Sequence, residues 1–318
     1  MNKTPTKQSV RFILIDENSD GQRIDNFLMR ELKDVPRSYV YRILRKGEVR
    51  VNKKRIKPPY KLKNGDSVRI PPVFLTEKDH KATIPESLLK QVESAIINED
   101  NNLIFINKPS GIAVHGGSGI KFGVIEIFRQ LRPELSFVEL VHRLDKETSG
   151  ILMLAKNRQS LLELHQMMKQ GGFTKYYQTL VKGKWQGGTR TIKNKLQRQQ
   201  GRTKKVQVLS DDALDGKESI SIFSPVSYYK QYTLLKVELI TGRMHQIRTQ
   251  LADLDHPVLG DSQYGDFSLN RKIRKDLGLK RLFLHAYHLK FKLKHSGKDY
   301  NCEIPLSSDL INTLDKLK

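Results

Sequence analysis

The chain has 318 residues, of which 37% are hydrophobic and 29% charged, and its 57 Lys and Arg against 34 Asp and Glu give a formal net charge of +23. That length favours two domains over one. No run approaches the roughly 18 apolar residues of a membrane span, and a single cysteine, Cys302, excludes a disulfide framework and a cysteine-rich metal site and fits a reducing cytoplasm.

So large a positive excess repels itself unless an anionic partner neutralises it, and no long amphipathic helix with a Trp/Phe-rich face points to a membrane. Nucleic acid is the expected partner. Residues 1–72 carry 18 Lys and Arg against 8 Asp and Glu, more basic for their length than the remainder, as suits a separate binding module.

From Asp20, apolar residues recur at Ile24, Phe27 and Leu28, which predicts a helix with Arg23 and Arg30 beside its buried face. Pro36 suits the first turn of a second helix, running through Tyr41 and Leu44 to a left-handed cap at Gly47. Arg37, Arg42, Arg45 and Lys46 crowd this helix and are the candidate contacts to nucleic-acid phosphates. Val49 and Val51 then alternate with Glu48, Arg50 and Asn52 as in a strand, and a turn at Asn64-Gly65-Asp66 precedes Val68 and Ile70. Residues 73–98 read as a linker with a short helix over Glu86 to Ala95. The expected division is an N-terminal segment over 1–19, a small basic module over 20–80, a linker over 81–98 and a larger domain over 99–318.

In the larger domain, strand-like and helix-like segments alternate. The apolar run Leu103 to Ile106 leads into Asn107-Lys108-Pro109-Ser110-Gly111; a helix is predicted over Gly123 to Leu131, and strands over Phe137 to Val141 and Ile151 to Ala155. A helix over Arg158 to Gln170 has Leu161, Leu164, Met167 and Met168 as its packing face. Strands follow over Phe173 to Lys182, Tyr232 to Ile240 and Leu282 to Lys292. Lys193 to Lys205, with Arg198, Arg202 and Lys204, reads as a solvated basic loop, with phosphate contact as a second reading; Trp185 reads as packing at a strand end. No βαβ unit carries a Gly-rich phosphate loop, so the fold class is α+β with a mixed, largely antiparallel sheet, and no nucleotide cofactor is expected.

Two segments carry chemistry. Asp145 lies in His142-Arg143-Leu144-Asp145-Lys146-Glu147-Thr148-Ser149-Gly150, a carboxylate among turn residues between two apolar strands. Taken alone it is most simply an Asx-type turn. The second segment is Thr241-Gly242-Arg243-Met244-His245-Gln246-Ile247-Arg248. Gly242 ends a strand and a helix follows, with Ile247, Leu251 and Leu254 inward and His245 and Arg248 on another face. An arginine near a helix start is a natural partner for a carboxylate or a phosphate.

These segments resemble the RluA-type pseudouridine synthases. The run from His142 to Gly150 is similar to that family's catalytic motif. Asn107 to Gly111 with Val114-His115, Thr241 to Arg248, His256-Pro257-Val258-Leu259-Gly260-Asp261 with Tyr264-Gly265, and Arg281 to Ala286 are similar to further family segments in family order. The basic front module, through Gly47 to Asn52 and Gly65 to Ile70, resembles an S4 RNA-binding domain. The resemblance implies an isomerase that cleaves the uracil N1–C1′ bond and joins C5 to C1′, a reaction without metal, redox step or cofactor. It implies 23S ribosomal RNA, or a large-subunit assembly intermediate, as substrate and partner, with more than one uridine modified. The chain is expected to be monomeric.

In the site so implied, Asp145 is the nucleophile, attacking either C1′ of the sugar or C6 of the base. Arg248 at contact distance would favour its charged form and fix its orientation. Strand alternation sends Tyr176 and Tyr177 to opposite faces, and the resemblance gives Tyr177 the site role, stacking on the extruded base and assisting deprotonation at C5. Arg143, Leu284 and His245 are substrate-binding candidates, Leu284 as an apolar wall. His142, His245 and His285 are expected to orient backbone or contact RNA. Departures from the family pattern are Thr249-Gln250 after Arg248, where many relatives place Val-His, and Asp255, where Gly is usual. A non-catalytic RNA-binding assembly factor explains the charge and the front module but not the coincidence of Asp145, Tyr177 and Arg248. A metal-dependent RNA hydrolase lacks a carboxylate cluster in recognisable spacing, and a zinc deaminase lacks the cysteines.

Overall fold

A computed structural model describes residues 6–7, 9–32, 35–75, 83–117, 119–199, 205–209 and 215–318. The chain divides into two compact units, the first running to Pro85 and including Asn157–Gln159, the second taking in residues 86–156 and 160–318. Residues 76–82 of the expected linker, and Arg202 and Lys204 of the expected basic loop, lie outside the described residues.

The first unit runs β1 (Thr6–Lys7), β2 (Arg11–Leu14), α1 (Ile24–Glu31), α2 (Arg37–Arg45), β3 (Arg50–Val51), β4 (Lys54–Arg55), β5 (Ser67–Ile70) and β6 (Phe74–Leu75). Ile24, Phe27 and Leu28 of α1 and Val40, Ile43 and Leu44 of α2 pack with Val49, Val51, Val68 and Ile70 into one core, as the helical and alternating periods predict. A four-stranded sheet in the order β2-β5-β3-β4 carries that core. β2 falls within the segment read as lying ahead of the basic module, yet Arg11 to Leu14 pair antiparallel with Ile70 to Ser67. Only alternate residues of β2 are half-buried, Phe12 and Leu14 being 69% and 74% exposed, so its apolar pattern does not mark a buried face. Gly47 caps α2 at φ +68, a left-handed conformation that favours glycine, and a Cβ there would also displace the Arg55 side chain.

The second unit continues with α3 (Glu86–Glu93), β7 (Ile96–Glu99), β8 (Leu103–Lys108), α4 (Val124–Leu131), β9 (Glu139–Leu140), β10 (Ser149–Ala155), α5 (Arg158–Lys169), β11 (Thr174–Lys182), β12 (Arg190–Arg198), β13 (Val206–Leu209), β14 (Lys217–Tyr228), β15 (Tyr232–Leu239), α6 (Gln246–Asp253), α7 (Phe267–Asp276), β16 (Leu284–Lys292), β17 (Asp299–Glu303) and α8 (Ser308–Asp315). Nine strands follow one path, β13-β12-β14-β15-β11-β16-β10-β8-β7, with β17 added beside β16 and β9 beside β10. β10 and β16 run parallel, and the other pairs described are antiparallel. One apolar cluster packs α5 (Leu164, Met167) on β8, β10 and β16; another packs α7 (Ile273) and α8 (Leu310) against Leu180 and Phe283.

The first part of the predicted loop, from Lys193 to Arg198, is strand and not loop. Residues Arg190–Arg198 form β12, paired antiparallel with β14 on one side and β13 on the other. The inward residues of β14 include Ser219 and Ser221, each fully buried, with Phe223. The two serine hydroxyls are bonded to Asn194, Gln246 and Gln250, so polar residues share this buried face with Phe223, Leu196 and Val206 and interrupt its apolar alternation.

Candidate active site

The parallel pair β10–β16 sets the position of the Asp145 loop. Gly150 pairs with Ala286 at φ +115, where a Cβ would come within 2.2 Å of the Ala286 carbonyl oxygen. Only glycine lets the loop close onto β16 there. Upstream, the fully buried ammonium of Lys108 donates to the carbonyls of Pro109, Ile112 and Lys146 at 2.7, 2.8 and 3.1 Å. Ser110 Oγ donates to the Glu147 carbonyl at 2.7 Å. Downstream, Ser149 Oγ shares a 2.9 Å bond with His285 Nδ1 and accepts from Arg281 at 3.0 Å. His142 accepts the Met153 N–H at 3.2 Å, and burial pushes its imidazole down to about 4, so it stays a neutral acceptor. His142 and His285 therefore orient backbone and loop, one of the two roles expected of them.

The loop so pinned turns Asp145 into a pocket of about 230 Å3, whose walls include Arg143, Leu144, Tyr177, His245, Arg248 and Leu284. Arg248 Nη1 donates to Asp145 Oδ2 at 3.3 Å, and His245 Nε2 stands 3.8 Å from the same oxygen. The guanidinium is aimed from behind. Its Nε and Nη2 donate to the two oxygens of Asp261 at 2.7 and 2.8 Å, a bidentate pair in which both side chains are buried. Burial alone would raise the Asp261 carboxyl, but Arg248 and the N–H groups of Tyr264 and Gln263 outweigh it and hold it below the ordinary carboxylate range.

Tyr264 ties the arrangement together. Its ring lies 5.1 Å from the Arg248 guanidinium, and its hydroxyl accepts from Val206 N at 2.8 Å and bonds His245 Nδ1 at 2.8 Å. His245 occupies the left-handed cap position of α6 at φ +55, so it reaches Asp145 from outside the helix and not, as the spacing predicts, from a shared helix face with Arg248. Burial lowers its pKa, the field of Asp145 opposing, so the neutral imidazole is favoured.

Tyr177 sits at a register shift between β11 and β16, a bulge that accompanies its turn into the pocket. Burial, reinforced by the negative charge of Asp145, raises its phenol pKa, which keeps the hydroxyl protonated in the free enzyme. Tyr176 packs against His288 at 5.5 Å with Lys236 above its ring. Leu284, 3% exposed, is a wall, and Arg143 is exposed at the rim.

Family models for RNA pseudouridylate synthase and for the S4 domain match residues 102–253 and 22–68 respectively. Ribosomal large subunit pseudouridine synthase C of Escherichia coli (strain K12) is 45% identical over 320 residues, covering 99% of each chain. The enzyme of the same name from Pasteurella multocida (strain Pm70) is 46% identical over 314 residues, 98% of this chain and 95% of that one. The chain belongs to the pseudouridine synthases. The solved structure of human RNA Pseudouridylate Synthase Domain Containing 4 shares the fold at 23% identity, with a TM-score of 0.61 over 73% of this chain and 95% of that one.

Of the residues singled out from the synthase's sequence, Asp145, Tyr177, Arg248, Arg143, Leu284 and His245 meet in one pocket. Arg37, Arg42, Arg45 and Lys46 are exposed on and just after α2 of the S4 unit, Arg42 lying 4.5 Å above the Tyr39 ring. Thr249 and Gln250, where the family pattern changes, are buried, Gln250 donating to Asn194 Oδ1 at 3.0 Å, so both pack inside the domain. Asp255 adopts φ +59, a conformation glycine favours and aspartate tolerates, which accounts for both residues at this position. The sequence alone gives Asp261 and Tyr264 no individual role. The signal for them is an Asp placed three residues before a Tyr-Gly turn, downstream of an arginine that needs a second acceptor. Among the described residues, no group of three or more His, Cys, Asp or Glu is placed to hold a metal ion, and no helix is long and apolar enough to cross a membrane.

Proposed function

We propose that this pseudouridine synthase isomerises specific uridines of 23S ribosomal RNA, as free RNA or in a large-subunit assembly intermediate, with Asp145 as the nucleophile. The observation that carries the reading is the Asp145 carboxylate held 3.3 Å from Arg248 at the wall of a pocket that Tyr177 and Leu284 also line. The names of the relatives supply the large ribosomal subunit.

A uridine must leave its stack to reach this pocket. Tyr177 offers an aromatic face and Leu284 an apolar wall for the base, while Arg143 at the rim meets backbone or the vacated stack. Asp145 Oδ then attacks C1′, with the N1–C1′ pair leaving on uracil, or adds to C6, with the C5–C6 π pair moving onto the O4 enolate before the N1–C1′ pair leaves on the base. In either case the base turns, C5 bonds to C1′, the carboxylate departs and the C5 proton is lost. Arg248 balances the carboxylate charge before attack and after departure. The raised phenol pKa, due first to burial, makes Tyr177 a stacking platform first; a part in C5 deprotonation belongs to the last step, when the C5 proton is lost.

The test is release of tritium from [5-3H]uridine in 23S rRNA transcripts and in isolated large-subunit intermediates, followed by mapping of the pseudouridines formed. Stable RNA binding with no release from either substrate would replace this reading by a non-catalytic assembly factor.

The S4 unit should supply salt-dependent affinity. Replacing Arg37, Arg42, Arg45 and Lys46 together with Gln is expected to flatten the slope of log K against log salt by about 0.7–0.9 for each phosphate left without its cation, with Asp145 chemistry intact at saturating RNA. Titrations between about 50 and 200 mM salt measure this, and an unchanged slope would remove these residues from the interface.

A further inference from the structure

Gly242, Arg243 and Met244 form a strap with two sides. One side lines the Asp145 pocket and the other lines a second groove of about 480 Å3. The floor of that groove is Leu196 of β12 and Val206 of β13, both buried, and among the described residues its charged lining is Arg198, Lys217 and Arg243, with no acid. Arg198, Lys217 and Arg243 are all exposed.

The strap is held firmly. Gln246 Oε1 accepts from Arg243 N at 3.0 Å and from Thr241 Oγ1 at 2.9 Å, while its amide donates to Ile220 O and Ser221 Oγ at 3.0 and 2.8 Å. Arg243 uses Nε for the Glu218 carbonyl at 2.9 Å, which orients a guanidinium whose planar fork carries further donors. The groove also reaches the catalytic wall directly, since the Val206 N–H in its floor donates to the Tyr264 hydroxyl that bonds His245.

A polymer whose uridine occupies the Asp145 pocket carries a phosphodiester on each side, and one of the two must cross this strap if the chain is to leave along the cationic side. We infer that the groove is a flanking-nucleotide subsite: Arg198, Lys217 and Arg243 hold the phosphodiester beside the target uridine, and Leu196, Val206 and Met244 take the face of the neighbouring base. Apolar contact suits a base of any sequence, and three cations around one phosphodiester give charge-assisted bonds that fix where the backbone runs. The inference rests on the uridine entering the Asp145 pocket, and it makes β12 and β13 part of the substrate surface.

The test uses the full chain and a short single-stranded or hairpin RNA with one target uridine, made with the natural phosphodiester or with a neutral methylphosphonate on either side. Wild-type protein should bind one neutral isomer roughly tenfold to a hundredfold more weakly than the natural RNA, the range for loss of charge-assisted bonds. The double variant Arg198→Gln, Lys217→Gln should bind the natural RNA with a similar loss and should lose little more on that neutral isomer. Additive losses, or a double variant that binds the natural RNA as wild type does, would overturn the subsite. Kd is read without turnover, so wild-type protein that binds as expected but forms no pseudouridine would refute the proposed reaction while leaving the groove's hold on phosphate standing.

Discussion

Asp145→Asn is expected to lower tritium release by on the order of 10^4-fold or more, the scale on which loss of a nucleophile acts, with RNA affinity and folding little changed. An amide of the same shape keeps a hydrogen-bond acceptor for Arg248 Nη1 but has no anionic oxygen to attack C1′ or C6. The loop does not depend on the carboxylate for its shape. Lys108 anchors it through the carbonyls of Pro109, Ile112 and Lys146, Ser110 holds the Glu147 carbonyl, and Ser149 joins it to His285. Single-turnover rate and thermal midpoint measured on the same preparation separate chemistry from folding. Release within about tenfold of wild type would sink the nucleophile, and a thermal midpoint that falls with the rate would mean that the carboxylate holds the loop after all.

The parts of the fold legible in sequence are those whose buried faces are apolar and regularly spaced. Ile24, Phe27 and Leu28 announce α1, and Leu164 and Met167 announce the packing face of α5. The half of the sheet formed by β12, β13 and β14 is not legible, because Ser219, Ser221 and Asn194, answering Gln246 and Gln250, stand among its inward apolar residues Leu196, Val206 and Phe223 and break the hydrophobic period. In the candidate site, Asp145, Tyr177 and Arg248 carry a motif-level signal. Their supports do not. His245 reaches the carboxylate through a left-handed turn that no helical spacing predicts, and Asp261 lies 13 residues beyond Arg248, past the end of α6, where the two meet only because the chain folds back.

That second carboxylate makes the largest prediction after Asp145. Arg248 has one acidic neighbour to stabilise it and another to serve, and the geometry divides the tasks: two donors at 2.7 and 2.8 Å go to Asp261 and one at 3.3 Å to Asp145. Asp261→Asn removes the charge behind the guanidinium and leaves a buried cation with only Asp145 as its anionic partner. Breaking a buried pair from one side costs about 3–5 kcal/mol, and a misplacement of about 1 Å at a reacting group costs on the order of 10^2-fold in rate. The variant should therefore unfold at lower urea and turn over about 10^2-fold more slowly, with the loss in kcat and not in KM. The acid limb adds a sign. Because Asp261 is held below its ordinary value in the folded chain, its contribution is present above the unfolded carboxylate pKa of about 3.9 and fades as pH falls through the lower folded value. Wild-type urea midpoints should thus drop more steeply than those of Asp261→Asn as pH falls below about 4. Asp261→Glu, which keeps the charge on a longer arm, should recover stability more fully than rate. If it restores both equally, Asp261 holds the fold and does not aim Arg248.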